Sequence, residues 1–369
     1  MDFSNNRINE IDIIKALAII IMVWGHVGLP GTKFLYLFHM AVFFICSGFV
    51  YKDKYARDIK SVLIFLKKKI MTLYFPYVIC AVVFTLLNNV FIKIGFYDEN
   101  VCPYLSNQEI VKDCIRALLF SRGTQLGGAT WFLRALFFIS VFYCFFNYIT
   151  LKFKIINNSL IQLVISSIFL ILLYYFGHRI SNPSIFNFVS NFILGYFCFS
   201  IGNILKEKQA CLFKIKKSGL FGFLTICSSL FILLILNNFG SVNIDRGNFT
   251  NPFFFLMASI AGFFMLFSVS VFICYLDKMQ KVMLLIGKNT LSIVVLHLLV
   301  FKLMNLFYVK TFNFDASMIS AFPTFANSLD NYKYVFGGGY LIIGVFLPIF
   351  INEIKKLFLQ KISLIRKGK

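Results

Sequence analysis

Of 369 residues, 59% are hydrophobic, 18% aromatic and only 14% charged, whereas soluble domains are about a quarter charged; a soluble globular core is excluded in favour of a polytopic membrane protein. The formal net charge of +21 would suggest nucleic acid on a soluble chain. Here it sits in short segments between apolar runs, so the positive-inside rule accounts for it and no nucleic-acid partner is expected.

About ten apolar runs of roughly membrane-spanning length follow one another, near 11–29, 34–51, 71–94, 131–150, 159–177, 184–205, 219–237, 252–276, 287–309 and 335–357. They predict an all-α polytopic helix bundle with a single transmembrane domain over 1–369. The first run carries Asp12 and Lys15 and lacks a small-residue cleavage site, so it reads as a retained span. One alternating set of segments holds Arg7, Lys15, the cluster from Lys52 to Lys69, Lys152, Lys154, Lys206 to Lys217, Lys278 to Lys288 and the tail Lys355 to Lys369. The other holds scattered cations such as Lys33, Lys93, Arg122, Arg179 and Arg246. That bias places both termini in the cytoplasm, and an even number of spans preserves it. Two outer loops, about 95–130 and 311–334, are long enough to suggest function. The nine cysteines, among them Cys211 near the cytoplasmic lysines, form no C-x-x-C pair. Neither a disulfide framework nor a metal site is expected, though Cys102 and Cys114 share one loop and could pair on an oxidising face.

Ionisable groups inside lipid-spanning segments are rare and usually functional. The hairpin from Ile11 to Gly48 holds Asp12, Lys15, His26 and His39, two of the four histidines in the chain. Lys15 and His26 are three helical turns apart on nearly one face, roughly 16 Å along the axis. Such a stripe suits a long ligand with an anionic end. Asp12 lies one turn before Lys15 and can orient it; a bland reading has Lys15 snorkelling to headgroups and Asp12 capping the helix. His26 and His39 are about equally far from the hairpin bend, so depth places them in one outer layer. Arg134, opening the fourth run, belongs to the same layer. His297 sits near the middle of the ninth run, where a buried histidine is as often structural as functional, and Lys302 follows further out. His178 reads as interfacial.

A histidine in a dry pocket can act as general base toward a hydroxyl. There is no G-x-S-x-G elbow, H-E-x-x-H or Walker loop, which argues against hydrolase, zincin and P-loop chemistry. A carboxylate partner for His26 would have to come from an outer loop: Asp98, Glu99, Glu109, Asp113, Asp315 or Asp330. A transporter lined by the same intramembrane charges is the runner-up, weakened by the lack of an internal repeat. A membrane sensor or scaffold is the third reading.

Several blocks then occur in order: Lys15 with His26 eleven residues on, preceded by Ile11-Asp12; Phe38-His39-Met40 through Ser47-Gly48-Phe49; Lys67 to Pro76-Tyr77; Thr130-Trp131-Phe132-Leu133; and Ile286-Gly287-Lys288-Asn289-Thr290-Leu291 followed by His297. Together they resemble the membrane-bound acyltransferase-3 family, in particular its fucose 4-O-acetylase-like and surface-polysaccharide O-acetyltransferase branch. The resemblance implies a ten-helix enzyme without an appended hydrolase-like domain. Its co-substrate would be cytoplasmic acetyl-CoA or another acyl-CoA, with no bound cofactor. Its acceptor would be a hydroxyl of a sugar, a surface polysaccharide or a lipid-linked precursor, at a bacterial cytoplasmic membrane. O-succinyl transfer is the alternative within the family. His26 matches the catalytic histidine, with His39 and Arg134 as oxyanion-stabilising or positioning groups. Lys15 matches the motif cation, where Arg is commoner; with Asp12, Lys67, Lys68 and Lys69 it would receive the donor's anionic head. Trp24, Ser47, Trp131, His297 and Lys302 are further candidates to line the pocket. Met40-Ala41 departs from a frequent Met-Pro.

Overall fold

Lipid offers backbone amides no hydrogen bonds, so apolar runs of this length fold as helices that satisfy themselves. The computed structural model describes residues 8–121, 123–154, 158–208, 210–329 and 332–367. Arg7, Arg122, Asp330 and Lys369 lie outside the described residues, as do the side chains of Cys211, Lys361, Arg366 and Lys367.

In chain order the helices are α1 (Asn9–Val27), α2 (Thr32–Tyr36), α3 (His39–Phe49), α4 (Ile59–Lys69), α5 (Phe75–Leu86), α6 (Asn88–Lys93), α7 (Asn107–Leu118), α8 (Trp131–Lys152), α9 (Asn158–Phe176), α10 (Pro183–Glu207), α11 (Ala210–Lys217) and α12 (Gly219–Phe239). A small antiparallel hairpin of β1 (Val242–Asn243) and β2 (Asn248–Phe249) follows, pairing Val242 with Phe249. The chain continues with α13 (Pro252–Cys274), α14 (Asp277–Lys288), α15 (Thr290–Phe312) and α16 (Lys333–Lys367).

Nine helical stretches among the described residues are long and apolar enough to cross a membrane: Thr32–Phe49, Ile59–Leu86, Gly128–Lys152, Asn158–Arg179, Pro183–Glu207, Gly219–Phe239, Pro252–Cys274, Thr290–Phe312 and Lys333–Gln360. The first expected span, α1, has 19 residues but carries Glu10, Asp12 and Lys15 in its first two turns, too many charges for that set. The protein is an all-α polytopic helix bundle.

The third expected span differs at its start. Sequence reading opens it near residue 71, after the Lys67–Lys69 run; the structure begins the helical stretch at Ile59 and keeps the lysines within it. Asp58 caps α4 by accepting from the Ser61 N–H at 2.8 Å. A π-helical turn over Ile70–Tyr74 then joins α4 to α5. Pro76 has no N–H to give the Thr72 carbonyl, and the ladder widens just before it, the Phe75 N–H reaching the Ile70 carbonyl instead.

The chain forms two compact units. One comprises the described residues within Met1–Ala18, Gly31–Pro76 and Trp131–Leu284. Its centre is the crossing of α3 and α10, where backbones meet at glycines. A Cβ on Gly48 would strike the Phe199 carbonyl, and one on Gly202 the Ile45 carbonyl. Small residues allow this approach, and packing rather than hydrophobicity holds helices together in lipid. Tyr143 and Phe199 lie 4.8 Å apart beside it, and the Tyr196 hydroxyl donates to Gln162 Oε1 at 3.1 Å.

The other unit comprises Ile19–Pro30, Tyr77–Thr130 and the described residues of Leu285–Lys369. Here α15 packs on α16 around a polar column. The Tyr340 hydroxyl donates to Asn305 Oδ1 at 2.7 Å, and Asn305 Nδ2 donates to the carbonyls of Ala321 and Ile319 at 3.0 and 3.1 Å. α7, in the long connection between α6 and α8, carries a capping box, Ser106 and Glu109 each bonding the other's end of the first turn.

Candidate active site

His26 lies in the last turn of α1, which ends because Gly28 takes φ +79°, a left-handed conformation that favours glycine. The exit is tied down on both sides. Trp24 Nε1 donates to the Pro30 carbonyl at 3.0 Å, and the Thr324 hydroxyl donates to the last helical carbonyl, that of Val27, at 3.3 Å. Trp24 therefore shapes the end of the helix that carries His26.

The ring beside His26 comes from α15. The His26 and His297 ring centroids are 5.2 Å apart, with planes inclined by 40°. His297 has no solvent exposure. Its Nδ1 is 2.8 Å from the Ile293 carbonyl one turn earlier, which can only accept, so Nδ1 carries the proton. Its Nε2 is buried without a hydrogen-bond partner among the described residues. Phe301, one turn on, meets the ring edge-to-face at 5.6 Å. Two neighbouring imidazoles in a water-poor interior can pass a proton between themselves and a substrate hydroxyl.

Lys302 is fully buried on the same helix, but its ammonium donates to the carbonyls of Ser320 and Ala321 at 2.6 and 2.7 Å and lies 5.6 Å from the Phe322 ring centroid. It pins the loop between α15 and α16.

The remaining residues singled out in the sequence belong to the other unit. Lys15 Nζ donates to Asp12 Oδ1 at 3.3 Å, the Asp12 carboxylate being buried and Lys15 half-buried. Lys69 feels the charges of both Lys68 and Lys15 and has the Phe65 ring 5.0 Å below it. Lys68 donates to the Tyr55 hydroxyl at 3.3 Å, while Lys67 is exposed. Asp12, Lys15 and Lys69 thus form a charged group assembled from α1 and α4. Ser47 returns its hydroxyl to the Phe43 carbonyl at 2.8 Å. Trp131 packs edge-on against Phe132 at 6.3 Å.

His39 Nδ1 is 3.1 Å from the Leu35 carbonyl, and its ring lies tilted by 36° against that of Tyr36, centroids 4.8 Å apart. Arg134 lies over the Phe188 ring at 5.4 Å and acts electrostatically on Asp245, in the turn between β1 and β2. Asp245 as a residue is exposed, yet its carboxylate is ringed by protein, which raises its pKa; the neighbouring Arg246 and Arg134 oppose the rise. Asp245 and Tyr36 were missed by sequence reasoning. The one available signal was an acid, Asp245-Arg246-Gly247, between two long apolar runs.

Four of the six carboxylates expected as partners for His26 are engaged within their own loops; Glu99 is exposed and Asp330 lies outside the described residues. Glu109 accepts from the Ser106 N–H and hydroxyl at 2.8 Å each, Asp113 pairs with Arg116 at 3.1 Å, Asp98 accepts from the Asn100 N–H at 2.9 Å and Asp315 from the Ser317 N–H at 2.7 Å. Cys102 and Cys114 are free thiols.

This pairing of intramembrane histidines lies inside a family match: residues 8–347 correspond to the acyltransferase-3 family, described as an acyltransferase domain. The chain belongs to this family. No curated protein and no solved structure matches it. The match includes both Lys15 and His26 on α1 and His297 on α15, and runs through both units. An acyltransferase embedded in a membrane is thereby the class of protein to which His26 and His297 belong.

Proposed function

We propose that this membrane acyltransferase moves an acetyl group from cytoplasmic acetyl-CoA to a hydroxyl of a cell-surface sugar or polysaccharide, or of its lipid-linked precursor, at a bacterial cytoplasmic membrane. The observation that carries the reading is the His26–His297 pair, a base site held away from water in a chain of this family. His26 takes the proton of the acceptor hydroxyl, whose oxygen attacks the thioester carbonyl, and coenzyme A leaves with a proton. Lys15 and the Lys67–Lys69 run take the donor's phosphates, the Asp12 carboxylate holding the Lys15 ammonium in place. The excess of lysine around that end of α1 supports a cytoplasmic position for it.

Membranes incubated with radiolabelled acetyl-CoA test this directly. Wild-type protein is expected to move label into the envelope glycan fraction, and His26→Ala to lose at least about 100-fold in rate while remaining folded. Full transfer by His26→Ala would refute its role. Lys15→Ala should raise KM for acetyl-CoA by roughly 10-fold, the loss of one charge-assisted phosphate contact, with a smaller change in kcat. An unchanged KM would remove Lys15 from the donor site.

A further inference from the structure

The His26 ring has a neighbour whose protonation is set by the fold. His297 spends its Nδ1 proton on the Ile293 carbonyl, so Nε2 presents a lone pair. That nitrogen is buried and unpartnered among the described residues, an acceptor that has given up water without replacing it. Phe301 restrains the ring from one side and Ile293 from another, so it cannot turn to find a partner elsewhere without breaking the 2.8 Å bond. The His26 ring centroid lies 5.2 Å away with its plane inclined by 40°; the two rings are not hydrogen-bonded as they stand, and a turn of the His26 ring would bring one of its N–H groups to Nε2.

We propose that His297 is the positioning residue of His26, an imidazole in the place where such bases commonly have a carboxylate: once the acceptor is bound, His297 Nε2 takes up the N–H of His26 and thereby holds the opposite His26 nitrogen as the base. The inference rests on the acetyl-transfer reading above. In the step, the acceptor O–H bond breaks and its proton goes to the substrate-facing nitrogen of His26. The far N–H proton of His26 shifts to His297 Nε2. The acceptor oxygen bonds to the thioester carbonyl carbon and the C–S bond breaks. The sulfur takes the proton from the substrate-facing nitrogen, and His297 returns its proton to His26. No oxidant, metal or additional acid enters, and the products are the O-acetyl ester and coenzyme A.

With that bond formed, His26 is neutral ahead of the proton transfer: one nitrogen donates to His297 and the other faces the substrate. A carboxylate would bias His26 toward imidazolium. A neutral histidine partner leaves it an uncharged base, which suits a position surrounded by lipid-spanning helices.

The test uses the full-length protein in membranes, with radiolabelled acetyl-CoA as the probe and the envelope glycan as acceptor, under single-turnover conditions. His297→Gln is expected to lower the rate of transfer by about 100-fold with KM for acetyl-CoA within about 3-fold of wild type. Imidazole in the medium is expected to restore part of the rate of His297→Ala, which a purely packing role would not show. In mixtures of light and heavy water the wild-type rate should curve with deuterium content, two protons moving together, and the His297→Gln rate should be linear. A His297→Gln rate within about 3-fold of wild type, while His26→Ala is inactive, overturns the proposal and leaves acetyl transfer standing. A linear isotope dependence for the wild type overturns it as well, and needs no variant to fold. Folded wild-type protein that transfers no label overturns both readings together.

Discussion

His297 and Lys302 stand on one helix, five residues apart, and both are wholly buried. Lys302 has two carbonyls within 2.7 Å. His297 has one nitrogen satisfied and one left over. Buried polar groups are nearly always bonded, so a complete set of partners marks a group as part of the scaffold and an incomplete set marks one that waits for something. By that measure α15 carries a structural cation near its middle and a chemical group nearer its start. Both residues looked alike as a sequence, an ionisable side chain in an apolar run.

The sharpest way to break the contrast is to remove the cation. Lys302→Met should strand the Ser320 and Ala321 carbonyls and destabilise the protein by about 2–4 kcal/mol, read as a lower Tm in detergent. Any activity that survives should follow the amount of folded protein, unlike the His297 variants, in which activity falls while Tm holds. A Lys302→Met protein with wild-type Tm would dissolve the distinction. A smaller effect comes from the same column. Tyr340→Phe removes the donor to Asn305 Oδ1 and is expected to lower stability by about 1 kcal/mol, leaving KM unaltered. The smallest concerns the surface counterpart of Lys302, the fully bonded Glu109. Hydrogen bonds from the Ser106 N–H and hydroxyl hold its carboxyl below the usual range. Its stabilisation is therefore present above the unfolded value of about 4.3 and is lost as pH falls through the lower folded value. A Tm deficit of Glu109→Gln at pH 7 should shrink on acidification below that point; a deficit independent of pH would show that the charge plays no part.

Much of the fold was legible because apolar length is a local property. The runs near 131–150, 184–205 and 252–276 fall within α8, α10 and α13 to within a few residues. Boundaries failed where charge was taken for a stop. The Lys67–Lys69 run lies inside a helical stretch, since lysines at a membrane edge extend into water without interrupting the backbone ladder. The site was legible in its members and not in its pairing. His26 and His297 were both singled out, but counting from the hairpin bend compares depths only, and that comparison set His26 beside His39. Depth says nothing of azimuth around a helix, and the ring facing His26 belongs to α15. Lys302 was grouped with the pocket for its charge, whereas its direction is set by the loop carbonyls above it.

The sequence by itself determined that the chain crosses a membrane as helices, that few ionisable groups enter those helices, and that their order resembles one acyltransferase family. These follow from hydropathy, charge placement and residue order, which need no neighbours. Only the tertiary structure decided which of those groups are spent and which are available. That depends on whether a carbonyl or a second ring lies within about 3 Å, a distance imposed by packing between segments far apart in the chain.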